Sequence, residues 1–509
     1  MGGLAMGQKS ALIAKALSLA PTELLIGGEW VTAASGKRLT VANPATGEAL
    51  AEVAAGGRAE GIAALDAAVG AAKAWAATAP RTRAEILRRA FEAITARAEE
   101  FAALITLEMG KPLADARGEV RYAAEFFRWY AEEAVRAFGR TAVSPEGNLD
   151  ILTVRRPVGP CLLITPWNFP LAMATRKIGP ALAAGCACVL KPASLTPLSA
   201  LAVGRVLLEA GVPAGVVNVV PAESSAAVSS PVLADARLRK LSFTGSTPVG
   251  QALLAEAAPG VLRTSMELGG CAPFIVFADA DLDAAVEAAV IAKTRSNGEA
   301  CNAANTFYVH ESLASAFAGR LAERLAALRV GNGLSDAVDL GPLVSAGQRR
   351  DVAALVDAAV AAGAEVLTGG AALDGPGYFY QPTVLGSVPP DAAILTTEIF
   401  GPVAPVTAFA SVDEALTRAN AVDVGLAGYI YTRDLKLIQR CARDLEVGML
   451  AVNTGPISNA AAPFGGIKRS GLGREGGPEG FEEYLDTIYV GLPRKSHQYT
   501  HVHGGTIGQ

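Results

Sequence analysis

The apolar positions of the chain change period twice. Leu87, Phe91, Ile94, Phe101 and Ile105 recur at the spacing of one helix face until Gly110 and Pro112, which predicts a helical segment that stops there. Residues 148 to 158, NLDILTVRRPV, alternate polar and apolar side chains, as a half-buried or paired strand does. From residue 161 the short apolar runs CLLI, ACVL, VNVV and KLSF alternate with helical stretches such as PLSALAVGRVLLEAG. That alternation predicts a parallel sheet with helices on its faces, because parallel strands need crossover connections. A second series starts at PFIVF, passes through DLDAAVEAAVIAK and continues to VAPVTAF, LAGYIYT and GMLAVN. Two α/β units therefore follow one another, with no fixed repeat period and no low-complexity linker.

A length of 509 residues, 51% of them hydrophobic, exceeds one ordinary core and suffices for two or three domains. The net charge of −5 comes from interspersed acidic and basic residues, without the basic stripe that nucleic-acid binding requires. Cys161, Cys186, Cys188, Cys271, Cys301 and Cys441 are too sparse for a disulfide scaffold and lack paired metal-ligand spacing. Reduced thiols, a cytoplasmic location and no metal are expected. Residues 1 to 20 hold only the short, lysine-interrupted ALIAKALSLA, read as a mobile or docked tail rather than a targeting segment. No run approaches a membrane span. The tail KSHQYTHVHGGTIGQ contains His497, His501 and His503 and reads as a polar terminal extension.

In open parallel sheets, ligands bind outside the C-terminal strand ends. After CLLI comes TPWNFP, where two prolines fix the backbone around Trp167, Asn168 and Phe169. ACVL is followed by Lys191 in KPAS, and RTSM by Glu267 in MELGG. Beyond KLSF, TGSTPVG is a glycine turn opening a helix, able to offer N–H groups and a positive dipole end to a phosphate. Each has a plain structural explanation: a rigid turn, a solvated lysine, a capped helix start, an exposed carboxylate. Together they favour a nucleotide site, because a phosphate-friendly turn and a lysine fall at successive strand ends of one sheet.

Cys301 sits in TRSNGEACNAANTFYVH, between a helical pattern and an extended run. A cysteine nucleophile needs a base or a field that makes thiolate. The four histidines are His310 and three in the tail, so a Cys–His hydrolase is disfavoured. Glu267, with Glu299 as the weaker candidate, is left as general base, since burial can raise a carboxylate pKa toward neutrality. Asn168 offers an amide to a developing oxyanion. Thiol, carboxylate, amide and dinucleotide site are the parts needed to oxidise an aldehyde through a thioester.

In order along the chain, TPWNFP, LKPAS, FTGSTPVG, MELGG, SNGEAC, EIFGPV and APFGGIKRSGLGREGG resemble the motifs of the aldehyde dehydrogenase superfamily, over about residues 21 to 493. The resemblance implies an α/β fold with two doubly wound parallel-sheet domains and a small β oligomerisation arm. It assigns 21–143 and 161–267 to a dinucleotide-binding domain, 268–455 to a catalytic domain, 144–160 and 480–493 to the arm, and 1–20 and 494–509 to terminal extensions. A homodimer or homotetramer is implied, because the arm leaves an edge for a neighbouring subunit. By the same resemblance Cys301 attacks the aldehyde, Asn168 and the Cys301 N–H stabilise the oxyanion, and Glu267 activates the hydrolytic water. Pro166, Trp167, Lys191, Ser194, Gly245, Ser246, Glu398 and Phe400 match cofactor-binding positions.

NAD-selective relatives commonly carry glutamate where this chain has Ser194, and its absence removes repulsion of a 2′-phosphate that Lys191 can pair with. NADP is therefore expected to be accepted alongside NAD, and preference for NADP is the finer expectation. Among superfamily branches the chain most resembles the succinate-semialdehyde dehydrogenases, whose two arginines and serine match Arg176, Arg295 and Ser458. The substrate expected is a small anionic aldehyde, because two guanidinium groups suit a carboxylate; the alternative is that either arginine pairs with a structural carboxylate. Glutarate semialdehyde, a sulfonated aldehyde and a CoA-acylating reaction stay open as alternatives. The chain departs from relatives at Ala303, which replaces a second cysteine, at Thr306, which replaces an arginine, and at PAESSAAVSS, which lacks a common glycine.

Overall fold

The computed structural model describes residues 6–335 and 337–494, so the tail with His497, His501 and His503 lies outside the described residues. Five short parallel strands, almost wholly buried, form the centre of an eight-stranded sheet. Their spatial order is Val217–Val219, Cys188–Lys191, Cys161–Ile164, Lys240–Thr244 and Arg263–Glu267. From Cys161–Ile164 the chain adds two strands on one side, then returns to add two on the other. The connections leaving Ile164 and Thr244 thus run to opposite faces and open a crevice between them. TPWNFP and TGSTPVG both leave the sheet at that crevice. At the edge beyond Arg263–Glu267 the sheet is closed by the antiparallel strand Gly471–Leu472, which returns residues from far down the chain to the crevice.

The second sheet has seven strands. Six are parallel, in the order Thr383–Gly386, Val403–Phe409, Ala304–His310, Ala272–Val276, Ala427–Tyr431 and Met449–Val452. Its core is aromatic: the Phe274 ring lies 5.1 Å from Phe307, 5.8 Å from Tyr429 and 4.9 Å from Tyr431. Such ring pairs add directional energy to the area they bury.

The helical segment predicted up to Gly110 is two helices, Pro80–Ala96 and Ala98–Met109. Arg97, at φ −111° and ψ 27°, breaks them, and the second is buried on every side from Phe101 to Met109. Gly110 ends the second at φ 95°, where an added Cβ would lie 2.9 Å from Pro342, so only glycine fits without strain. Of residues 1 to 20 the described part is docked: the helix Met6–Leu19 buries Ala16 and Leu19, and Arg205 Nη1 donates to the Ser18 carbonyl at 2.8 Å.

The two strands expected to form an arm pair antiparallel along their whole length, Leu149–Pro157 against Leu485–Pro493. Thr141–Val143 forms the outer edge. Val143, Val154, Tyr489 and Leu492 on this small sheet are exposed. Among the described residues, no helix is long and apolar enough to cross a membrane, and no group of three or more His, Cys, Asp or Glu is placed to hold a metal ion.

Candidate active site

A cavity of about 600 Å³ lies where the C-terminal ends of the first sheet meet loops that enter the second. Asn168, Glu267 and Cys301 line it together with Pro166, Trp167, Gly245, Ser246, Glu398, Phe400, Arg176, Arg295 and Ser458. Two of the matched cofactor positions are not on its wall. Lys191 is buried at the end of its strand and donates to Ser225 Oγ at 2.5 Å, burial lowering its ammonium pKa to about 8. Ser194 is half-buried nearby in the chain.

The turn before Cys301 explains the sequence SNG. Ser296, Asn297 and Gly298 have φ of 54°, 60° and 78°, a left-handed run that asparagine and glycine tolerate best. Asn297 is fixed on both sides, donating to the Pro342 carbonyl at 2.8 Å and accepting the Gly341 N–H at 2.8 Å. The Ser296 N–H donates to Asp115 Oδ2 at 2.8 Å. A Cβ on Gly298 would stand 2.4 Å from the Gly401 carbonyl oxygen. Gly298→Ala is expected to destabilise the protein by about 1–2 kcal/mol from backbone conformation alone, and further through the clash. Thermal unfolding measures this; an unchanged melting temperature would show that the loop relaxes freely.

Burial holds the two titratable groups assigned to chemistry toward their neutral forms, beside a neutral amide. Burial pushes the Cys301 thiol up to about 12, against the lowering field of Arg176 and with the carboxyls of Glu398 and Glu267 adding to the rise. The thiol is therefore protonated at rest. Asn168 is buried; its Nδ2 gives one hydrogen to the Glu299 carbonyl at 2.9 Å, leaving the second for another acceptor. Both Glu267 carboxyl oxygens are buried without hydrogen-bond partners. Burial first, and the neighbouring Glu475 second, push the Glu267 pKa well above the usual carboxylate range. Burial works against ionised Glu475 too, but contacts with Arg176 and Lys177 outweigh it and hold that carboxyl below its usual range. Glu299, the weaker base candidate, is buried off the cavity wall, where it accepts the Val344 N–H at 3.0 Å. It serves the loop rather than the cavity.

Arg176 meets the structural alternative raised for it, an ion pair with a buried carboxylate. Its Nε faces Glu475 Oε2 at 2.5 Å and its guanidinium lies 4.3 Å over the Phe464 ring, while Nη2 has no hydrogen-bond partner. Arg295 lies 4.9 Å over the Phe169 ring and donates to Ser458 Oγ at 3.4 Å, a hydroxyl that also takes the Asn302 amide at 3.2 Å. Phe169, Phe464, Asn302, Glu475 and Lys177 carry no assignment from sequence. The last two could be found only by knowing which buried charges meet.

The opposite part of the cavity suits a dinucleotide. Gly245 and Ser246 open the helix Thr247–Ala257 toward it, and the buried Thr244 Oγ1 beside them has no partner. The Gly245 N–H is taken by the Glu267 carbonyl at 3.0 Å, so the positive end of the helix and the orphaned hydroxyl are what fit a pyrophosphate. Trp167 and Phe400 meet edge to face at 5.3 Å. Glu398, held by the Gly270 N–H at 3.3 Å and raised by burial to about 7, can accept from ribose hydroxyls when ionised. The departure at Thr306 leaves no gap: its hydroxyl donates to the Leu395 carbonyl at 2.9 Å. Asn305 grips the Thr397 carbonyl and the Ile399 N–H on either side of Glu398, both at 2.9 Å.

Residues 30–490 match the aldehyde dehydrogenase family. The chain is 60% identical over 443 residues to a succinate-semialdehyde dehydrogenase of Paenarthrobacter nicotinovorans, an alignment spanning 87% of this chain and 98% of that protein. It is 47% identical to a glutarate-semialdehyde dehydrogenase of Pseudomonas putida, over 91% and 96% of the two chains. The crystal structure of an E. coli NADP-dependent enzyme superposes with a TM-score of 0.92 at 45% identity, covering 94% of this chain and 99% of that one. With a site built around a thiol, a carboxyl and an amide, and with these matches running along nearly the whole sequence, the chain belongs to the aldehyde dehydrogenase family.

Proposed function

We propose that the protein oxidises succinic semialdehyde to succinate through a thioester on Cys301. The observation that carries this is the meeting, in one cavity, of Cys301 with Arg176, Arg295 and Ser458. Two guanidinium groups and a hydroxyl can hold a carboxylate by charge-assisted hydrogen bonds, leaving the aldehyde end for the sulfur. Cys301 adds to the carbonyl carbon as its proton passes to solvent water, and the second N–H of Asn168 meets the oxyanion of the thiohemiacetal. A bound nicotinamide dinucleotide, NAD or NADP, supplies the acceptor for the oxidation. Glu267, once ionised, takes a proton from the water that cleaves the thioester. Arg176, Lys177 and Arg474 favour that ionised form.

Ser194 and Lys191 support acceptance of NADP, as does the NADP-dependent E. coli relative. The exposed edge and apolar side chains of the β arm support a homodimer or homotetramer. Six unpaired cysteines support a reducing compartment, the cytoplasm. On this reading the first sheet belongs to the dinucleotide-binding domain and the second to the catalytic domain.

The test is Arg295→Gln, assayed by dinucleotide reduction with succinic semialdehyde and with butanal, in NAD and in NADP. Loss of a hydrogen bond to a charged group is expected to lower kcat/KM for the semialdehyde about ten- to a hundredfold relative to butanal. An equal loss on both substrates, or a wild-type preference for butanal, would defeat the assignment.

A further inference from the structure

We infer that the buried pair Lys111–Glu119 is a positioning device for the amide of Asn168, an inference that rests on the oxyanion role given to Asn168 above. Both side chains are completely buried, with Lys111 Nζ 2.6 Å from Glu119 Oε2. The ammonium also donates to the Asn168 carbonyl at 2.8 Å and lies 3.7 Å over the Phe169 ring. Glu119 Oε1 accepts the N–H groups of Leu171 and Ala172 at 3.0 and 3.2 Å. These belong to the first turn of the helix Pro170–Ala184, whose opening N–H groups have no partner within the helix. One ion pair thus grips three backbone groups between residues 168 and 172.

Stability is a weak reason for such a pair. Two apolar residues of similar volume in its place are often as stable or more so, because desolvation of the charges offsets their attraction. What apolar residues cannot supply is a directional hold on the Asn168 carbonyl and the helix start. With the backbone held there and Nδ2 committed to the Glu299 carbonyl, the remaining amide hydrogen has a fixed direction. The Phe169 ring under Lys111 also lies under Arg295, so the clamp ties the oxyanion amide to the group assigned to the substrate carboxylate. Preorganised donors act on the transition state more than on the bound substrate, so the loss of the clamp should appear in kcat.

The experiment is a double-mutant cycle. Lys111→Met/Glu119→Gln, which removes both charges at similar volume, is measured alone and combined with Asn168→Ala, using succinic semialdehyde. The charge-free pair is expected to lower kcat about ten- to a hundredfold, with KM changed less than about twofold. In the Asn168→Ala background it should cost less than about a further twofold, because the group it positions is gone. A loss in kcat of equal size in both backgrounds, or a loss confined to KM, overturns the inference while leaving the functional reading intact. If Asn168→Ala alone leaves kcat unchanged, the oxyanion reading falls and takes the inference with it. Should the double variant fail to fold, Glu119→Gln enters the same cycle: it keeps an acceptor for Leu171 and Ala172 and removes only the charge holding Lys111.

Discussion

Cys301→Ala is expected to abolish aldehyde oxidation, with kcat falling by about four orders of magnitude or more, while the dinucleotide still binds. Nothing else near the cavity substitutes for the sulfur. Cys271 is buried and its thiol donates to the Thr396 carbonyl at 3.3 Å, and the other four cysteines lie off the cavity wall. Because burial holds the Cys301 thiol near 12, above the lowering field of Arg176, the free enzyme carries little thiolate. Alkylation of Cys301 by iodoacetamide should therefore quicken about tenfold per pH unit between about pH 7 and about pH 10, without a plateau. Stopped-flow dinucleotide reduction and mass-mapped alkylation check the two statements. Residual oxidation in Cys301→Ala above about a hundredth of wild type would remove the cysteine from the mechanism.

The first half of the site could be read from sequence because its residues follow their strands directly. TPWNFP, TGSTPVG and Glu267 each end or leave a strand of the first sheet, and the rule that ligands sit at C-terminal strand ends finds them. Cys301 obeys no such rule. It precedes Ala304–His310, as Glu398 precedes Val403–Phe409, so the second sheet meets the cavity with its N-terminal side. Cys301 was singled out by its place between a helical pattern and an extended run and by eliminating a Cys–His pair, whereas Glu398 was placed by the family's motif alone. Arg58–Ala77 was hidden for a different reason: Gly61, Ala64 and Ala68 make up half of its six buried residues, which leaves little periodic signal. Glu475 and Lys177 were invisible because their meaning is a contact across 298 residues of chain. The short strand Gly471–Leu472, which returns that distant segment to Glu267, is fixed by tertiary pairing rather than by any local preference.

Glu267→Gln is expected to lower kcat about a hundred- to ten-thousandfold, yet to preserve a burst of about one equivalent of reduced dinucleotide per subunit. The substitution keeps volume and leaves Cys301 and Asn168 in place, so thioester formation proceeds and its hydrolysis stalls. A burst lost together with kcat would mean that Glu267 is needed to form the thioester, and that this reading of its role is wrong. The same substitution has an opposite consequence for stability. Burial and Glu475 raise the folded-state pKa of Glu267 well above its ordinary 4.5. Above that ordinary value the unfolded chain ionises this carboxyl and the folded one resists doing so, so folding binds a proton and stability falls as pH rises. Glutamine removes the penalty, since it has no charge to desolvate. Glu267→Gln should therefore melt higher than wild type at about pH 8, and the difference should shrink toward about pH 5 as the wild-type penalty disappears. A residue whose removal slows turnover and raises the melting temperature is one that the fold holds at a cost for the sake of the reaction, and Glu475, held ionised by Arg176 and Lys177, is part of what imposes that cost.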